Sequence, residues 1–102
     1  MGLVLLLLVA CSPQDAANSV VRQAAGSVAQ PIVEGYMLPA QANGVTRCLL
    51  DAASIEELRA LAQDVGTTGG TRPRANVLAL GTRPAARACI AAAGLPQLPG
   101  GA

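Results

Sequence analysis

The stretch Cys48-Leu49-Leu50-Asp51-Ala52-Ala53-Ser54-Ile55-Glu56-Glu57-Leu58-Arg59-Ala60-Leu61-Ala62 decides the fold class. Ser54 followed three positions later by Glu57 is a capping box. The hydroxyl accepts from an orphan amide of the first turn, and the carboxylate returns the bond to the Ser54 amide. Leu58, Leu61, Ala62 and Val65 recur at helical spacing behind that cap, and Gly66 is expected to end the helix. Upstream of the cap, Val45 to Ala53 predicts a second short helix carrying Cys48, Leu49 and Leu50, preceded by a loop from Pro39 to Gly44.

Helical signals continue on both sides. Ser12-Pro13-Gln14-Asp15 reads as a helix start, with Ser12 as cap and Pro13 in the first turn. Val20, Val21, Ala24 and Val28 then predict its apolar stripe. Pro31 is expected to kink or end this helix, with Ile32 to Leu38 continuing as a short second piece. Beyond a turn at residues 67–70, Thr71-Arg72-Pro73-Arg74-Ala75 is echoed eleven positions later by Thr82-Arg83-Pro84-Ala85-Ala86. Each copy opens a short helix that ends in glycine, at Gly81 and at Gly94, and the second carries Cys89 and Ile90. Two short echoes fall well below the unit size of a repeat solenoid. No segment alternates apolar and polar residues for long, so the expected class is all-α: a small irregular bundle of about four or five short helices. The expected organisation is a leader over residues 1–10, a domain over residues 11–95 and a flexible tail over residues 96–102, which holds Pro96, Pro99, Gly100 and Gly101.

The raw material of the core is unusual. Hydrophobic residues make up 52% of the chain, yet Tyr36 is its single aromatic residue. A domain this small has a thin margin of burial and gains from a covalent staple. The net charge of +1 argues against a general nucleic-acid binder. Charge is unevenly spread. Residues 12–64 hold six acids against three Arg, whereas residues 65–102 hold Arg72, Arg74, Arg83 and Arg87 and no acid. Two complementary solvated faces would explain this, and an anion-binding patch formed by those four arginines is the sharper alternative.

The N-terminus is informative. Leu3 to Ala10 is an unbroken apolar run. It is too short for a bilayer span, which takes about 20 residues, but fits the core of a secretory signal. The run ends Leu8-Val9-Ala10-Cys11, which resembles the lipobox of bacterial lipoproteins: a branched apolar residue, a tolerant position, a small residue, then cysteine. The resemblance implies that the Cys11 thiol receives a diacylglyceryl group, that cleavage follows Ala10, and that the freed amine is acylated. Each buried methylene adds about 0.8 kcal/mol, so several chains hold a protein on a membrane. Met1-Gly2 departs from the pattern in lacking Lys or Arg, so either the α-amino group supplies the charge or the true start lies upstream. A short buried apolar segment with an unmodified cysteine is the alternative. Myristoylation at Gly2 would need Ser or Thr where Leu6 stands. Ser12 is not an inner-membrane retention signal by enteric analogy, which points to the outer membrane, facing the periplasm.

With Cys11 assigned to lipid, Cys48 and Cys89 remain, and an even pair in an exported protein reads as a disulfide. Closing a loop of about 40 residues stabilises by roughly 4 kcal/mol in the chain-entropy picture. Metal binding is not expected, since the chain has no His and no C-x-x-C pair. No cofactor is expected, and no catalytic residue. Adjacent Glu56 and Glu57 would point about 100° apart on a helix, a poor acid–base pair. Gly69-Gly70 lacks the Gly-Lys-Ser/Thr that would complete a phosphate loop. Tyr36 reads as a packing or membrane-interface residue.

Cys48-Leu-Leu-Asp51, Ala53-Ser54, Glu57, Arg83-Pro84, Cys89-Ile90 and Ala93-Gly94-Leu95 together resemble a group of short lipoproteins from α-proteobacteria. The likeness covers about half of the chain. It implies a leader, a lipobox and two later cysteines, and it carries no activity. The expected function is therefore a non-enzymatic, membrane-anchored envelope protein that acts by contact with another envelope component. A small module binding a lipid headgroup or cell-wall anion through Arg72, Arg74, Arg83 and Arg87 is the alternative. A lysis-type lipoprotein and a hydrolase rank lower.

Overall fold

The computed structural model describes residues 13–65 and 71–99, which form five helices and no strand: α1 (Pro13–Glu34), α2 (Pro39–Ala52), α3 (Ile55–Ala62), α4 (Thr71–Gly81) and α5 (Pro84–Ala92). The class is all-α, as expected. The Ser12 cap, the turn over residues 67–70 and the leader with Cys11 lie outside the described residues.

α1 is the organising element and packs against α2, α3 and α4. Its fully buried positions are Ala25, Ala29 and Val33, with Val21, Val28 and Ile32 packed at the margin of the core. The expected stripe is thus rotated: Val20 is 65% exposed and points away from the bundle. The reason is steric. Small side chains at 25 and 29 let neighbouring helices approach closely, and Leu50 Cδ1 would lie 3.4 Å from a Cβ placed on Gly26.

Pro31 does not end α1, which runs on to Glu34. Proline removes the bond to the Ser27 carbonyl, but Ser27 and Pro31 both lie on the exposed side, where water can serve that acceptor. Continuing the helix places Ile32 and Val33 against the core, and that burial outweighs the missing bond. The expected second piece is instead a tight turn, closed by Gly35 N–H to Ile32 O at 3.1 Å and Tyr36 N–H to Val33 O at 2.9 Å.

The expected loop from Pro39 to Gly44 is the first half of α2. Leu38 is extended (φ −67°, ψ 149°) and Pro39 occupies the first helical position, where a missing N–H carries no penalty. The Leu38 amide donates to Gln41 Oε1 at 3.2 Å. α2 is the most deeply buried stretch, with Ala42, Val45, Thr46, Cys48, Leu49 and Leu50 inside. In α3 the capping box forms as read: Ser54 N–H donates to Glu57 Oε1 at 2.8 Å and Glu57 N–H to Ser54 Oγ at 3.2 Å. Leu58 and Leu61 are buried, but α3 ends at Ala62, before Gly66, and Val65 is 52% exposed beyond it.

The two Thr-Arg-Pro segments open α4 and α5. The Cys48–Cys89 disulfide joins α2 to α5, with Cα atoms 5.6 Å apart. Gly94 (φ +69°) ends α5 in a Schellman motif, with Leu95 N–H reaching Ile90 O and Gly94 N–H reaching Ala91 O, both at 3.0 Å. The expected flexible tail is in part a packed segment. Leu98 is buried against Gly81, Leu95 packs over Gly44, and Gln97 Nε2 donates to Arg87 O at 3.0 Å. A Cβ at position 44 would lie 2.5 Å from Leu95 Cδ1, so the absent side chain of Gly44 is what admits Leu95.

Candidate functional site

The arginines singled out in the C-terminal part divide into two kinds. Arg83 is extended (φ −68°, ψ 138°) immediately before Pro84 at the start of α5, a backbone shape the following proline favours. Its side chain turns away from its own helix. Nη1 donates to Glu57 Oε1 at 2.7 Å and to Ala52 O at 3.2 Å, while Nη2 donates to Glu57 Oε2. One guanidinium fork thus joins the start of α5, the first turn of α3 and the last residue of α2. Arg72, in the first turn of α4, donates to Asp64 just beyond α3. The Asp64 side chain is only 6% exposed, whereas that of Arg72 is 66% exposed, so an exposed cation covers a buried carboxylate. This hydrogen bond holds the Arg72 guanidinium above its already high ordinary pKa.

Arg74 on α4 and Arg87 on α5 are exposed and form no ion pair among the described residues. The fold therefore engages two of the four arginines internally and leaves two facing solvent on different helices. A third ion pair, Arg22 to Asp51, links α1 to α2 at an exposed position.

Glu57 has more tasks than its place in the cap suggested. Its carboxyl lies below the ordinary carboxylate value, chiefly because the Ser54 backbone N–H donates to it, with Arg83 adding a hydrogen bond and opposite charge against a desolvation penalty. Fully engaged and held ionised, it is a poor general acid or base. It also borders a shallow cleft of about 90 Å³ between α3 and α4, lined by Glu57, Ala60, Leu61, Asn76, Ala79 and Leu80. Small-molecule sites are commonly about 300–1,000 Å³, so the cleft admits only a few atoms. Glu56, its neighbour, is exposed and does not share this site.

Among the described residues no group of His, Cys, Asp and Glu is placed to hold a metal ion, and no helix is long and apolar enough to cross a membrane. The pairing of Glu57 with Arg83, 26 residues apart, and of Arg22 with Asp51, 29 apart, had no local signal in the sequence. The excess of acid before residue 65 and of arginine after it was the one trace of the Glu57–Arg83 and Asp64–Arg72 links. Comparison with protein-family models, with curated proteins and with solved structures finds no match for this chain.

Proposed function

We propose that this chain is an envelope lipoprotein, cleaved behind Ala10 and held on a membrane by lipid on Cys11, whose helical domain works by contact with another envelope component and not by catalysis. The observation that carries the reading is Leu8-Val9-Ala10-Cys11 at the end of an apolar run too short to span a bilayer. The Cys48–Cys89 disulfide supports it, since a cross-link of this kind persists in an oxidising compartment such as the periplasm. Ser12 favours the outer membrane over the inner. The domain begins two positions after Cys11, which ties it closely to the lipid surface.

Intact mass of the protein extracted from membranes tests the reading. The expected mass is that of residues 11–102 with a diacylglyceryl group and an amide-linked acyl chain, less two hydrogens for the disulfide. An unprocessed N-terminus with a bare thiol at Cys11 would overturn it. Crosslinking in intact cells should then recover a defined envelope protein.

Anion binding is the second reading, favoured by the exposure of Arg74 and Arg87. Because Arg72 and Arg83 serve Asp64 and Glu57, charge reversal at Arg74 and Arg87 is the discriminating change. Loss of binding to anionic vesicles with an unchanged melting temperature would favour this reading over contact with a protein.

A further inference from the structure

Four large apolar side chains are exposed among the described residues: Val20, Tyr36, Leu38 and Val65. Three of them belong to α1 and the turn that follows it. Leu38 is 68% exposed and Tyr36 40%, two positions apart in that turn, while Val20 stands outward on α1 at 65%. The exposed positions of α1 from Ala16 to Pro31 carry no charge. Between Ala16 and Val33 the only charged residue of α1 is Arg22, which is turned onto Asp51 of α2. The arginines that form no ion pair among the described residues (Arg47, Arg59, Arg74 and Arg87) all lie on α2 to α5.

We propose that the domain lies on its bilayer along α1, with Val20 and the Tyr36–Leu38 turn seated at the lipid headgroup level. The inference rests on the lipid-anchor reading, which sets the position of the helix start. Cys11 is two positions before Pro13, a reach of at most about 7 Å. From there α1 extends for 22 residues, or about 33 Å. An upright helix would carry the turn out of range of the lipid, whereas a recumbent one lays its uncharged outer side on the surface and brings the turn down to it. That side meets the headgroups without desolvating a charge until Glu34, where the helix ends and the carboxylate is held by Gln30 Nε2 at 2.9 Å. Tyrosine suits such a level, its ring in the apolar layer and its hydroxyl in water. The arrangement turns α2 to α5, with their exposed arginines, toward the periplasm and any partner there.

Tyr36 is the single aromatic residue, so tyrosine emission reports this turn alone. The test reconstitutes the membrane-extracted protein into phosphatidylcholine vesicles brominated high on the acyl chains. Flotation scores anchoring and emission scores contact. The expected result is that the protein floats and loses most of its emission relative to unbrominated vesicles. L38D and V20D, both at exposed positions, should still float, keep their helical circular dichroism and regain emission. Full emission from floating wild-type protein would overturn the orientation and leave the anchor standing, as would quenching that both variants retain. Failure to float would remove the anchor and this inference together.

Discussion

At the scale of single residues, three side chains have local roles that can be weighed. Thr46 is 5% exposed in the middle of α2, and its Oγ1 has no hydrogen-bond partner among the described residues. Burying an unbonded hydroxyl costs about 1–3 kcal/mol. Thr46→Val keeps the shape and removes that cost, so it should stabilise by about 1 kcal/mol, seen as a raised urea midpoint with unchanged slope. A lowered midpoint would mean that the hydroxyl is bonded after all. Glu57 is the opposite case, a carboxylate whose ionised form is preferred by the fold. Its folded pKa is lowered from the ordinary 4.5, so its contribution is complete above that value and lost as the pH falls through the lowered one. Glu57→Gln should therefore be less stable than wild type at neutral pH, and the gap should close in acid, below about pH 4.5. Its partner Ser54 contributes through the cap, and Ser54→Ala should lose about 1 kcal/mol at neutral pH.

Helices and connecting segments depended on burial where local rules were silent or contrary. The continuation of α1 past Pro31 and the start of α2 at Pro39 are two outcomes for the same residue type. Pro39 follows an extended residue and is preorganised for a first turn, while Pro31 is carried along because Val33 beyond it is fully buried. The C-terminal segment shows the same dominance. Its prolines and glycines argue for fraying, yet Leu98 finds a seat on Gly81 and Leu95 on Gly44. Leu98→Ala should destabilise by about 2 kcal/mol, the low end for a buried leucine because an end segment can relax around the gap. Denaturant unfolding measures it, and a variant as stable as wild type would show that the segment does not hold the bundle.

For the whole molecule, the staple matters more than any single contact. The core is made of Ala, Val, Leu and Ile together with Cys48, with no aromatic ring, and α5 contributes little more than Ala86 and Ile90 to it. The Cys48–Cys89 bond, spanning 41 positions, holds that last helix to α2. Replacing both cysteines by alanine should lower stability by about 4 kcal/mol, read as a drop in melting temperature that reductant reproduces in the wild type. No change on reduction would mean that noncovalent packing alone suffices.

Helical class, the Ser54–Glu57 box and the disulfide were all legible in the chain itself. Each depends on bonding within a few residues or on a small count: a hydroxyl next to orphan amides, a proline in a first turn, two sulfurs left once Cys11 is assigned. The rotation of α1, the passage through Pro31, the seating of Leu98 and the ion pairs of Arg72 and Arg83 were decided only by tertiary structure. Burial scales with the area that two surfaces remove from water, and which surfaces meet is a property of the assembled bundle rather than of any one segment. The same is true of Val20, Tyr36 and Leu38, whose exposure became visible only when the helices had packed.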